Sequence, residues 1–173
     1  YINMFYCGGD SDKYSYNPVS HNFIELSNLN DTPLNLKGMY LHYTEAGNNA
    51  WLTLPLTGII PAQGTFLIKG AQCSFENINT TSIKVGTPDM YWTKDATTTV
   101  SKTTFVQEPF DDNGYLKMNS ICSIYLSGSD SSDFDYSKTA LVGAPYISGQ
   151  VIKYYVDLVG VGTYKDTSGI VNN

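Results

Sequence analysis

The sequence predicts an all-β domain, and three observations carry that prediction. Fourteen tyrosines stand among many Thr, Ser and Asn; aromatic and β-branched side chains suit a pleated surface, while Asn, Ser and Gly suit turns. Gly, Pro and Asn break the chain at short intervals, and no segment keeps a helical period over three turns. About seven strands punctuated in this way build a sandwich or a barrel, two architectures that pattern alone does not separate. The 173 residues fit one domain with its own core, spanning 1–173.

Tyr1-Ile2-Asn3-Met4-Phe5-Tyr6 reads as a short strand broken by Gly8-Gly9-Asp10, and residues 13–20 with Pro18 read as a loop. In the next strand Phe23, Glu25 and Ser27 alternate with Ile24 and Leu26, the pattern of a half-buried strand. After a polar turn from Asn28 to Pro33, Leu34 and Leu36 alternate with Asn35 and Lys37 up to Gly38, and Met39 to Tyr43 is again extended. Ala46-Gly47-Asn48-Asn49 suits a hairpin turn because Gly and Asn accept positive φ, with Ala50 to Pro55 returning. A bend from Thr57 to Gly64 precedes the strand Thr65-Phe66-Leu67-Ile68-Lys69. Residues 70–109 show no sustained period and are expected to form a long inserted loop region with short elements. A loop of that length is uncommon unless it has a task. Tyr115 to Leu126, broken near Asn119-Ser120, and Val151 to Val159 read as the closing strands, and Ile24, Leu26, Leu36, Leu67, Val156 and Leu158 are expected in the core.

Charged residues make up only 15%, the net charge is −6, and all ten basic residues are lysines. Phosphate-backbone binding needs clustered positive charge and bidentate base readout is largely an arginine property, so nucleic acid is disfavoured as a partner. No run of about 18 apolar residues suggests a membrane span, and no charged-then-apolar leader is seen. A start at Tyr1 in place of Met suggests processing or excision from a larger protein. Cys7, Cys73 and Cys122 lie far apart in sequence and form no Cys-x-x-Cys pair. They read either as small buried hydrophobes or as one disulfide plus a free thiol.

The order of several of these segments resembles the lamin tail domain, especially the version appended to secreted bacterial nucleases and surface proteins. The segments are Ile2-Asn3 through Tyr6-Cys7-Gly8-Gly9; Phe23-Ile24-Glu25-Leu26-Ser27-Asn28; Pro33-Leu34-Asn35-Leu36-Lys37-Gly38-Met39-Tyr40-Leu41; Trp51 through Gly58; Ile60-Pro61-Ala62-Gln63-Gly64-Thr65-Phe66-Leu67-Ile68; and Val156-Asp157-Leu158-Val159-Gly160-Val161-Gly162. Residues 1–70 match well and 115–162 loosely. The family usually has tryptophan after the glycine where this chain has Met39, and the middle has no counterpart. The resemblance implies an immunoglobulin-like β-sandwich serving as a contact or anchoring module.

Candidate chemistry is sparse. His21 and His42 lie beside or inside strands and read as surface or strand residues; Ser20 and His21 are merely adjacent, and no Gly-x-Ser-x-Gly elbow is present. Glu25 could be an acid or ligand, or a carboxylate accepting hydrogen bonds from a neighbouring loop. Asp10 with Asp12, Asp111 with Asp112, and Asp130 with Asp133 and Asp135 have loop positions suited to calcium but lack EF-hand spacing, and they read as solvated turns. Asn30-Asp31-Thr32 and Asn79-Thr80-Thr81 match the glycosylation acceptor pattern. Tyr14, Tyr16, Tyr91 and Trp92 fall in predicted loops, where amphipathic rings form contact surfaces.

These features describe a non-enzymatic interaction domain without cofactor, contacting protein partners in an extracellular, cell-surface or virion-type assembly. The alternatives are an accessory nucleic-acid-binding or glycan-binding domain of a secreted hydrolase. The contact surface is expected on residues 70–109, the rival reading of which is an inserted hairpin that caps one open end of the sandwich.

Overall fold

The computed structural model describes residues 1–7, 19–45, 51–73, 83–100, 108–119, 122–128 and 155–161. Eleven strands and no helix occur among them: β1 (Ile2–Tyr6), β2 (His21–Ser27), β3 (Leu34–Asn35), β4 (Tyr40–Glu45), β5 (Trp51–Pro55), β6 (Ile59–Ile60), β7 (Thr65–Gln72), β8 (Met90–Tyr91), β9 (Thr98–Val100), β10 (Cys122–Ser127) and β11 (Tyr155–Val161). They form a four-stranded sheet in the order β1-β2-β7-β8, a five-stranded sheet in the order β11-β10-β4-β5-β9, and a two-stranded sheet of β3 and β6. The fold is an all-β sandwich.

The period of two sets the inner face. Ile24 pairs with Phe5 and Ile68, Ile68 pairs with Met90 in the parallel β7–β8 ladder, and all four side chains turn to the core. Opposite them the five-stranded sheet supplies Leu41, Tyr43, Leu52, Leu54, Ile124 and Leu126, each at most 2% exposed. Burial of this kind, at roughly 25 cal/mol per Å² of apolar surface, is the main favourable contribution to folding. At the side where β1 and β11 approach, the Ile2 N–H donates to Asp157 Oδ2 at 2.6 Å and joins the two sheets.

The polar turn after β2 is held by Asn28, which is buried. Its Nδ2 donates to the Thr32 carbonyl at 2.8 Å and the Pro61 carbonyl at 3.1 Å, and its Oδ1 accepts from the Asn30 N–H at 3.1 Å. Gly38 closes the tight turn from Leu36 to Met39 with φ +86°, a value that L side chains rarely adopt.

Among the described residues of 70–109, β7 runs on to Gln72, and the short elements are β8, which extends the four-stranded sheet, and β9, which extends the five-stranded one. Two expectations change. Leu67 is only half-buried, because Phe66 and Ile68 hold the inward positions of β7. Val156 is 48% exposed, since β11 turns Val159 to the core and Val156, three residues earlier, has the other parity. Ile24, Leu26 and Leu36 lie in the core as expected, and the side chain of Leu158 lies outside the described set.

Candidate functional site: an aromatic row across the four-stranded sheet

The same alternation that sends Ile24 and Ile68 inward sends the next register position outward. Tyr6 pairs with Phe23, Phe23 with Lys69, and Lys69 with Tyr91, so one residue from each strand of the four-stranded sheet lies in a single outward row. Neighbouring strands are about 4.8 Å apart, giving a row roughly 14 Å long. The Tyr6 and Phe23 rings stack nearly parallel, with centroids 6.5 Å apart and an interplanar angle of 16°. Tyr91, 44% exposed, meets the Tyr115 ring at 5.3 Å and 44°, which lengthens the row past β8. Asp111 Oδ1 fixes the turn that presents Tyr115, accepting its N–H at 2.8 Å and that of Asn113 at 2.9 Å.

Polar groups border the rings. Asn3 Nδ2 donates to Glu25 Oε1 at 2.6 Å, so among the described residues Glu25 is held by a side chain of the adjoining strand. Partial burial, and then the charge of Lys69, lower the His21 pKa. Burial first, and the Cys73 and Cys7 thiols second, raise that of the Tyr6 hydroxyl. Both shifts favour the uncharged forms, leaving Lys69 as the cation within a mostly aromatic strip.

A second polar group sits on the outward face of the five-stranded sheet. His42 Nδ1 lies 3.0 Å from Thr53 Oγ1 and its Nε2 lies 2.7 Å from Ser127 Oγ, a hydroxyl–imidazole–hydroxyl line across β5, β4 and β10. Burial takes the His42 pKa down to about 4, so the ring is neutral, with one hydroxyl donating to it and the other accepting. A Ser–His pair at this distance has the spacing of a nucleophile and base. Here His42 is 0% and Ser127 2% exposed, and the third member is a neutral threonine in place of a carboxylate that would stabilise imidazolium. The line can tie three strands together; it offers no entry for a substrate.

Of the residues singled out in the sequence, Tyr91 lies on the exposed face. Trp92 does not: it is 1% exposed, packs edge-on to Tyr43 with centroids 6.2 Å apart, and donates from Nε1 to Thr97 Oγ1 at 3.1 Å. Its position follows from alternation, since Tyr91 turns outward and the next residue must turn in. Tyr14, Tyr16, and the acidic clusters at Asp10–Asp12 and Asp130–Asp135, lie outside the described residues. Among the described residues no three His, Cys, Asp or Glu side chains gather as a metal site, and Asp111 serves its own turn. Tyr6, Phe23 and Tyr115 were not singled out, because their alignment depends on strand register. The alternation of Phe23 and Glu25 with Ile24 and Leu26 was the available signal.

No family model matches the chain, and no curated protein matches it.

Proposed function

We propose that this chain is a non-catalytic contact domain of the lamin-tail, immunoglobulin-like type, and that it binds a protein partner of a larger surface, extracellular or virion-type assembly through the outward face of its four-stranded sheet. The observation that carries this reading is the register row Tyr6–Phe23–Lys69–Tyr91 with Tyr115 beside it. Tyrosine and phenylalanine supply large contact area with two rotatable bonds each, and aromatic enrichment with few charges marks the centre of protein interfaces. The low charge of the whole chain agrees with a partner recognised by shape and apolar contact.

A photo-crosslinking side chain placed at Tyr91, with one at Ile59 on the separate two-stranded sheet as control, tests this in the protein's native setting. A discrete adduct with one polypeptide from position 91, lost with Phe23→Ser and not formed from position 59, is expected. Adducts from position 59 alone would contradict it.

The near-parallel Tyr6 and Phe23 rings favour a second reading, glycan binding, because a flat ring pair can stack on a sugar face. Signal on a glycan array that Phe23→Ser removes would select that reading over the first.

A further inference from the structure

The aromatic row has a spacing of its own. Phe23 on β2 and Tyr91 on β8 stand on either side of Lys69 on β7, in one register line. Two strand spacings put them about 9.6 Å apart. Each is the inner ring of a pair: Tyr6 lies beside Phe23 with centroids at 6.5 Å and an interplanar angle of 16°, and Tyr115 lies beside Tyr91 at 5.3 Å and 44°. The row is therefore two aromatic pads with one ammonium between them. Among the described residues the Lys69 ammonium pairs with no carboxylate.

We infer that the two pads bind a Pro-x-x-Pro segment of a protein partner, held in the polyproline II conformation across the strands, with an acidic residue between its prolines. The inference rests on the reading that the partner is a protein and that this outward face is its docking surface. A polyproline II helix turns once in three residues and rises about 3.1 Å per residue, so one side of it repeats every 9.3 Å or so. That repeat matches the separation of Phe23 and Tyr91, and prolines at positions i and i+3 rest on the two pads together. An α-helix repeats at about 5.4 Å and one side of an extended strand at about 6.8 Å. Both fall short of the pad separation in one repeat and overshoot it in two.

The chemistry of the strip suits the same occupant. A polyproline II segment makes no internal hydrogen bonds, so its carbonyls accept from the Lys69 ammonium and from tyrosine hydroxyls. An Asp or Glu between the two prolines brings its carboxylate within reach of the flexible Lys69 side chain, and a pair of that kind sets register and choice of partner more than affinity. The net charge of −6 opposes a strongly acidic segment, so one carboxylate is what Lys69 accommodates. Proline is already ordered before it binds, and aromatic-lined surfaces take Pro-x-x-Pro segments for that reason.

The test is to titrate the isotope-labelled full chain with synthetic peptides of repeating Pro-Pro-Asp, Pro-Pro-Lys and Ala-Ala-Asp and to follow its amide chemical shifts. Saturable shifts at Tyr6, Phe23, Lys69, Tyr91 and Tyr115 are expected with Pro-Pro-Asp, weaker binding with Pro-Pro-Lys and none with Ala-Ala-Asp. Tyr91→Ala should weaken the Pro-Pro-Asp peptide by about tenfold or more, as loss of an aromatic anchor does, and Lys69→Glu should reverse the order of the two proline peptides. No shift along the row from any peptide, or equal shifts with Ala-Ala-Asp, would overturn the proposal. The crosslink from position 91 separates the two readings. An adduct whose linked segment lacks Pro-x-x-Pro overturns this proposal and leaves the contact face standing, whereas adducts from position 59 alone overturn both.

Discussion

The carbonyl oxygen of Leu116 accepts the Ala71 N–H at 2.8 Å and lies 2.5 Å from where a Cβ on Gly70 would stand. The segment carrying Tyr115 therefore rests directly on the β7 backbone, and Gly70 is what permits the approach. Gly70→Ala must displace this segment, and overpacking of that kind costs about 1–3 kcal/mol. Urea unfolding measures it; an unchanged midpoint would show that the segment is not seated on β7.

The phase of the strands makes a second prediction. Leu26→Ala should cost about 2–5 kcal/mol and Trp92→Ala about 3–5 kcal/mol, as fully buried side chains do. Leu67→Ala, removing a half-buried side chain from the opposite face of β7, should cost clearly less than Leu26→Ala. Equal losses at Leu26 and Leu67 would put the wrong face of the four-stranded sheet inward.

Legibility in the sequence tracked how far each feature depends on local alternation. Strand β2 was readable because its two faces differ in kind, Ile24 and Leu26 against Phe23 and Glu25. Strand β11 was not, since Val156, Leu158, Val159 and Val161 put apolar residues at both parities, and pairing with β10 sets the phase. In β4 and β5, His42, Thr44 and Thr53 look like solvent-facing positions but are at most 2% exposed. Alternation shows that two faces differ and does not show whether both are covered. The aromatic row was hidden for another reason: Tyr6, Phe23, Lys69 and Tyr91 come from four strands, and only register aligns them.

The buried imidazole makes stability depend on pH. His42 has a folded-state pKa of about 4 against about 6.5 in an unfolded chain. Below 6.5 the unfolded state takes up a proton that the folded state refuses, so stability is fully present above that pH and falls as pH drops toward 4. The loss approaches about 3 kcal/mol in order of magnitude, and the lowered pKa of His21 acts in the same direction. Unfolding midpoints at pH 7 and pH 4.5 should differ, and His42→Gln should reduce the difference. An identical pH dependence in that variant would contradict the assignment to His42.

Tyr91→Ala removes a ring that is 44% exposed and should change stability by no more than about 0.5 kcal/mol, as surface changes do. Weakened assembly with an unchanged melting curve is the expected result. A large loss of stability would make Tyr91 a structural residue.

Hydroxyl-radical footprinting of the free chain and of the chain in its native assembly tests the contact face most directly. Tyr6, Phe23, Tyr91 and Tyr115 should become protected together on assembly, while Ile59, 59% exposed on the two-stranded sheet, keeps its reactivity. Unchanged labelling of those four rings in the assembled state, with protection at Ile59 instead, would contradict the account.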